Sequence, residues 1–186
     1  TNAGSAVVTV AGSLTGAASL TNSGPGRIDV TGSTVTTTGA INASAGTIGF
    51  GDAGLGSGLV SLSGGGKIAF DGTATTISNP ITVAASGGGI DVADGGTLAL
   101  SGVLTRDGLL TKGGAGTLSV AALPTSNLAV AAGTLEVAAT GTLNVTTDLQ
   151  PLFAGGKVAF TGSNVRVNVN SVQTGTGTIE FTQGGQ

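Results

Sequence analysis

The chain has no cysteine, histidine, methionine, tryptophan or tyrosine. Without cysteine it forms neither a disulfide nor a thiolate metal site. Without histidine it has no Ser-His-Asp triad and no imidazole metal ligand. Charge is scarce too. Only 8% of residues are charged and the net charge is −3, which argues against nucleic acid or an anionic membrane surface as a partner. No apolar run approaches the ~20 residues of a membrane-spanning helix. No long window repeats with the period near 3.6 of an amphipathic helix. The chain starts at Thr1 and contains no methionine. It therefore reads as a processed mature chain or a section of a longer one, with any signal peptide already lost.

What remains is glycine, small polar residues and aliphatics in alternation. Of 186 residues 36 are glycine, yet 39% are hydrophobic, which a disordered linker does not explain. Such a mixture suits many short strands joined by tight turns. The stretch Gly108–Val137 carries Gly-Thr-Leu-x-Val twice, at Gly116–Val120 and Gly133–Val137. A wider unit, with its third and fifth positions apolar, begins at Ala6, Gly26, Gly46, Gly66, Gly88, Gly108, Gly133, Gly156 and Gly177. The first three intervals between these starts are equal, and the later ones vary around a similar length. The apolar pairs run from Val8/Val10 to Ile179/Phe181. One pair departs, Leu110/Lys112, where a charge takes the second place. A second column follows a fixed distance behind, at Leu98/Leu100, Leu118/Val120 and Leu143/Val145, with Ala18/Leu20 fitting the first coil and Val165/Val167 fitting near the end with a one-residue shift. A looser third column includes Ile41, Val60/Leu62, Ile81/Val83, Leu104, Leu128/Val130 and Val172.

Three short strands per repeat is the arithmetic of an all-β, single-stranded parallel β-helix. About nine coils of roughly 20–25 residues are expected, three strands in each, in one domain spanning residues 1–186. Stacked at ~4.8 Å, they make a rod of roughly 40 Å. Phe50 should stack on Phe70, and Phe160 on Phe181. A β-sandwich would also alternate, but its strands have no reason to keep one long period. Thr147–Ala154, with Pro151, and Leu123–Asn127 break the rhythm and read as projecting loops.

The residues from Ile77 to Val137 resemble the passenger-associated transport repeat of bacterial autotransporters. Gly108, Leu110, Lys112, Gly114, Gly116, Thr117, Leu118 and Val120 match its first half. Gly133, Thr134, Leu135 and Val137 match its second. The tyrosine-containing segment usual between the halves is replaced by Leu-Pro-Thr-Ser-Asn. The resemblance covers about a third of the chain. It implies a right-handed β-helix in a protein secreted to, or displayed on, a Gram-negative cell surface, where this repeat often belongs to the stalk. It also accounts for Lys112 as a family feature. The physical expectation is that its ammonium snorkels to a coil corner.

The inventory of chemistry is thin, and no catalytic, cofactor-binding or metal-binding residue is assigned. A Ser-Lys pair with Lys67, Lys112 or Lys157 has no local signature. Asp91 and Asp94 are the only close carboxylate pair. Asp29, Asp91 and Glu136 fall in outward slots that take polar residues by default. Gly87–Val92 is a single imperfect echo of a calcium-binding nonapeptide. Gly64-Gly65-Gly66 and Gly87-Gly88-Gly89 read as turns, since no helix follows to make a phosphate loop. In Asn164–Asn170 the valines should face in and Arg166 and Asn168 out. The expectation is a non-enzymatic rod: a passenger stalk or adhesin, or a filament subunit stacking head to tail, with a polysaccharide-acting enzyme the remote third reading. The partners implied are self-association or further coils at both ends, and host-surface or matrix glycans.

Overall fold

The computed structural model describes residues 1–122, 128–138, 142–145, 155–162, 166–169 and 176–182. Among them there is no helix. Strands of three to five residues alternate with turns, and every strand pairing is parallel. The chain winds as a β-solenoid of roughly seven turns.

The first face is a seven-stranded sheet running from Val7–Val10 to Leu128–Val130. Val7, Arg27, Thr47, Lys67, Gly89, Thr111 and Ala129 lie in one row across it. The step along the chain is constant as far as Lys67, lengthens to Gly89 and Thr111, and is shortest to Ala129. The second face holds the pair Leu14–Gly16 and Val35–Thr37, then a six-stranded sheet from Ala74–Ile77 to Thr178–Phe181. The third face is five-stranded, from Leu20–Asn22 to Leu104–Arg106.

The core follows from strand alternation. Side chains two apart share a face, and a parallel register puts like positions on top of each other. Val8, Ile28, Ile48, Ile68 and Ile90 make one file of the first sheet, and Val10, Val30, Phe50, Phe70 and Val92 make the next. The two phenylalanine contacts are as expected. Ring centroids lie 5.5 Å apart for Phe50 and Phe70, and 5.2 Å for Phe160 and Phe181. Turns pack as tightly as strands. Gly46 has φ +64°, and a Cβ there would lie 2.2 Å from the Gly26 carbonyl oxygen of the coil beneath. Glycine is required at this position for both reasons.

Several column assignments need correction. Leu135/Val137, Val158/Phe160 and Ile179/Phe181 do not continue the first face. They register with Leu118/Val120 on the second. The first face passes instead through Leu110/Lys112 to Leu128/Val130, which the spacing assigns to the third column. Ile90 pairs with Lys112 rather than Leu110, a slide along the strand. Two short steps cause the change of face. The first face advances least between Thr111 and Ala129, and the second between Thr117 and Thr134. The units that begin at Gly108 and Gly133 therefore lie on different faces. Nine coil starts in one column thus become about seven turns. Leu20 belongs to the third face, the first coil's second strand being Leu14–Gly16. Thr142–Val145 pairs with Arg166–Val169 in a separate two-stranded sheet instead of extending the second column. Gly88 and Gly89 lie inside the strand Gly88–Val92, not in a turn. Leu123–Asn127, Thr147–Ala154 and Val172 lie outside the described residues, as do the side chains of Asn164–Asn170.

Replacing Phe70, which is 0% exposed between Phe50 and Val92, by alanine should cost about 3–5 kcal/mol. Val7→Ala, at a residue 64% exposed, should change stability by less than ~0.5 kcal/mol. Urea denaturation followed by circular dichroism measures both.

Candidate functional site

Lys112 is the most unusual polar residue in the rod. It stands in the aliphatic file between Ile90 and Val130 and is 0% exposed. The ammonium reaches a coil corner, as expected, but is covered there instead of meeting solvent. It turns within the rod and donates to three backbone carbonyls: Gly113 at 2.8 Å, Gly114 at 2.7 Å and Ala132 at 3.0 Å. Three donors thus meet three acceptors, which is the condition for burying such a group. The acceptors come from two successive coils, so the side chain stitches one turn to the next. Burial draws the ammonium down to about 8, against the pull of the Asp91 carboxylate. Arg106 takes a comparable inward place above Val83, and burial lowers its guanidinium to about 10.

Other buried polar side chains cap the corners. Asn22 donates to the carbonyls of Gly26 and Thr47, both at 2.9 Å. Asn79 donates to Gly58 O at 2.7 Å. The Thr37 hydroxyl donates to Gly16 O or Ala18 O, both at 3.1 Å, and accepts from the Gly39 amide. Sequence reasoning missed these residues. The available signal was a small polar residue at an inward position just before a turn residue, glycine after Asn22 and Thr37 and proline after Asn79.

The outward charges lie mainly on the first face. Arg27 pairs with Asp29 and reaches across to Asp71. Lys67 pairs with Asp91 at 3.2 Å. Asp29 and Asp91 thus occupy the outward slots expected of them. Gly49 lies beneath the Arg27–Asp29 pair and Gly113 beneath Asp91, where a Cβ would strike the carboxylate oxygens. On the second face Glu136 accepts from the Thr161 hydroxyl at 3.0 Å, and Lys157 pairs with Glu180 at 2.7 Å.

A groove of about 640 Å³ opens at the corner after the first face, lined by Asp29, Thr31, Ser33, Asp52 and Asp71 among others. It arises because the third coil makes no strand on the second face. Residues 51–59 contain Gly54 and Gly56 at φ +75° and +73°, outside the extended region. Leu55 still fills the core there, 1% exposed. The carboxylates of the groove are already engaged. Asp29 and Asp71 hold Arg27, and Asp52 accepts from the amides of Thr73 and Ala74, at 2.8 and 3.2 Å, starting the next strand.

The structure does not bring the candidate groups together as a catalytic centre. Asp91 faces out from a strand beside Lys67, while Asp94 sits exposed in the turn closed by Gly95. Lys67 and Lys157 meet carboxylates and Lys112 meets carbonyls, rather than serine hydroxyls. Among the described residues no group of three or more histidine, cysteine, aspartate or glutamate side chains could hold a metal ion. No helix among them is long and apolar enough to cross a membrane. The architecture defines a parallel β-solenoid. No family model, curated protein or solved structure matches the chain.

Lys112→Met keeps the length of the side chain but leaves three carbonyls without their donor. It should cost about 2 kcal/mol or more at pH 7. Because the folded chain releases the Lys112 proton nearer pH 8 and the unfolded chain nearer 10.5, the unfolded state binds more protons between these values. The wild type should therefore gain stability across that window relative to Lys112→Met, by at most about 3 kcal/mol. Paired urea titrations from pH 7 to 10.5 read out the difference.

Proposed function

We propose that the chain is a structural rod on the exterior of a bacterial cell, the stalk section of an autotransporter passenger, which spaces or displays what it carries. The observation that supports this reading most directly is the use of its polar groups. Its lysines, Arg27 and the buried amides bond to carboxylates and carbonyls of the rod itself. A solenoid built this way holds a length and an orientation without needing a reaction centre. The likeness of Gly108–Val137 to the passenger repeat supplies the cellular setting.

The reading is tested on the chain and on cells. Small-angle scattering should give an elongated particle, and protease treatment of intact source cells should digest the chain. A chain protected from protease in intact cells defeats the proposed location. Turnover of a polysaccharide or ester that disappears in Asp91→Asn would show an enzyme instead.

A second reading, a filament subunit, draws on the end coils. Val7 and Val8 are 64% and 41% exposed at one end, and Ile179 and Phe181 are 37% and 52% exposed at the other. Apolar coil faces with open backbone edges favour edge-to-edge association. In this reading another copy covers them. Fibres seen by electron microscopy, and lost in a Val8→Lys, Phe181→Lys double variant, would establish stacking. A wild-type monomer in sedimentation velocity excludes it.

A further inference from the structure

The third face differs from the other two in its outward side chains. Thr21, Asn42, Ser61, Thr82 and Thr105 stand directly above one another along it, one per coil. Coils repeat every ~4.8 Å, so these five polar tips form a straight rail of roughly 19 Å. They bond weakly to each other: Asn42 donates to Thr21 at 3.5 Å, and the Thr82 and Thr105 hydroxyls are 3.1 Å apart. About 6.6 Å to one side, further along each strand, run Ser23, Ser44 and Ser63. Their amides continue the ladder, donating to Asn2, Asn22 and Ala43 of the coil beneath. On the other side run Ala40, Leu59, Pro80 and Val103, whose carbonyls accept the next ladder bonds. Leu59 is 43% exposed and Val103 70%.

The face is therefore three parallel rails: carbon, hydroxyl or amide, and serine hydroxyl. Its segments 19–23, 40–44, 59–63 and 80–84 carry no ionisable side chain; the fifth, 103–107, carries Arg106, in register with the inward Val83, and the exposed Asp107. In the same coils Arg27, Asp29, Lys67, Asp71 and Asp91 are gathered on the first face or its corner. Over the first four coils of this face a charged polymer finds no counter-charge.

We propose that the third face is a docking surface for a neutral, extended polysaccharide lying along the rod axis. The ring C–H surfaces of a β-linked glycan would rest on Leu59, Pro80 and Val103. Its hydroxyls would exchange hydrogen bonds with the rail from Thr21 to Thr105 and with the serines. Each coil offers one polar tip of the central rail at the same spacing, so successive sugars meet similar partners and weak single contacts act together. The absence of charge over the first four coils of the face is the complementarity that selects an uncharged chain. This adds a partner to the rod proposed above and rests on its fold and external location, not on its mode of assembly.

The test is retention of the purified full chain on microcrystalline cellulose and on chitin, with polygalacturonate and heparin columns as charged comparisons. Wild type should be retained on at least one neutral polymer and not on the charged ones. Ser61→Arg with Thr82→Arg should weaken retention tenfold or more, and Thr117→Arg, on the second face, should leave it unchanged. Circular dichroism and scattering of each variant show whether the rod persists, so loss of the glycan site and loss of the rod are told apart. If the double arginine variant does not fold, Leu59→Ser with Val103→Ser replaces it, with the same expected weakening. No retention of wild type on either neutral polymer, equal retention of all variants, or preference for a charged polymer overturns the proposal. Inhibition of ice recrystallisation without glycan retention also overturns it, by assigning the face to an ice lattice.

Discussion

Every feature of this rod depends on the parallel backbone ladder between successive coils. The ladder binds each turn to the ones above and below and leaves no choice about side-chain neighbours. A residue is stacked on the residue in the same position one coil away. Isoleucine lies on isoleucine in the first face, leucine on leucine in the second and phenylalanine on phenylalanine in both. The same constraint explains the glycine content. Coil corners sit directly over the carbonyls of the coil beneath, and at Gly46 a side chain would occupy the place of that carbonyl.

Lys112 shows what the ladder does with an exception. A cation in an aliphatic file is costly to bury unless its hydrogen bonds are complete. The Gly113-Gly114 corner and Ala132 complete them. The lysine sits where the row of the first face passes from its longest step to its shortest. A side chain that needs carbonyls from two coils in fixed relation fits one register there and no neighbouring one. Conformational specificity is an attested use of buried polar groups in other folds.

The architecture was legible in the sequence because the coil period is long and strict. One interval, kept unchanged from Ala6 through Gly26 and Gly46 to Gly66, has no source in an open sandwich. The stacked phenylalanines and the outward Asp29 and Asp91 followed from the same alternation. Legibility failed where the period changed. Once a coil shortens, a Gly-Thr-Leu unit looks the same on either of two faces, and only pairing tells that Leu135 lies over Leu118 and not beside Lys112. The burial of Lys112 was hidden for a different reason. Its acceptors are main-chain oxygens, which have no signature in residue type. The amide caps at Asn22 and Asn79 escaped notice on the same ground. The polar rail of the third face was present in the sequence as scattered Thr, Ser and Asn, but only the register lines them up.

The equal steps at the start of the first face bear on how such a rod changes over generations. From Val7 through Arg27 and Thr47 to Lys67 the row advances by the same stretch of chain each time. Excising or copying one such period in frame returns each inward residue of that sheet to an inward place. For that sheet, length can therefore change by whole periods without setting inward files against outward ones, which opens it to adjustment through unequal recombination. Beyond Lys67 the step lengthens and then shortens, and that freedom is lost. There a lost or gained coil would set aliphatic and polar files against each other, so heritable variation in rod length should accumulate on one side of Lys112 and be purged around it.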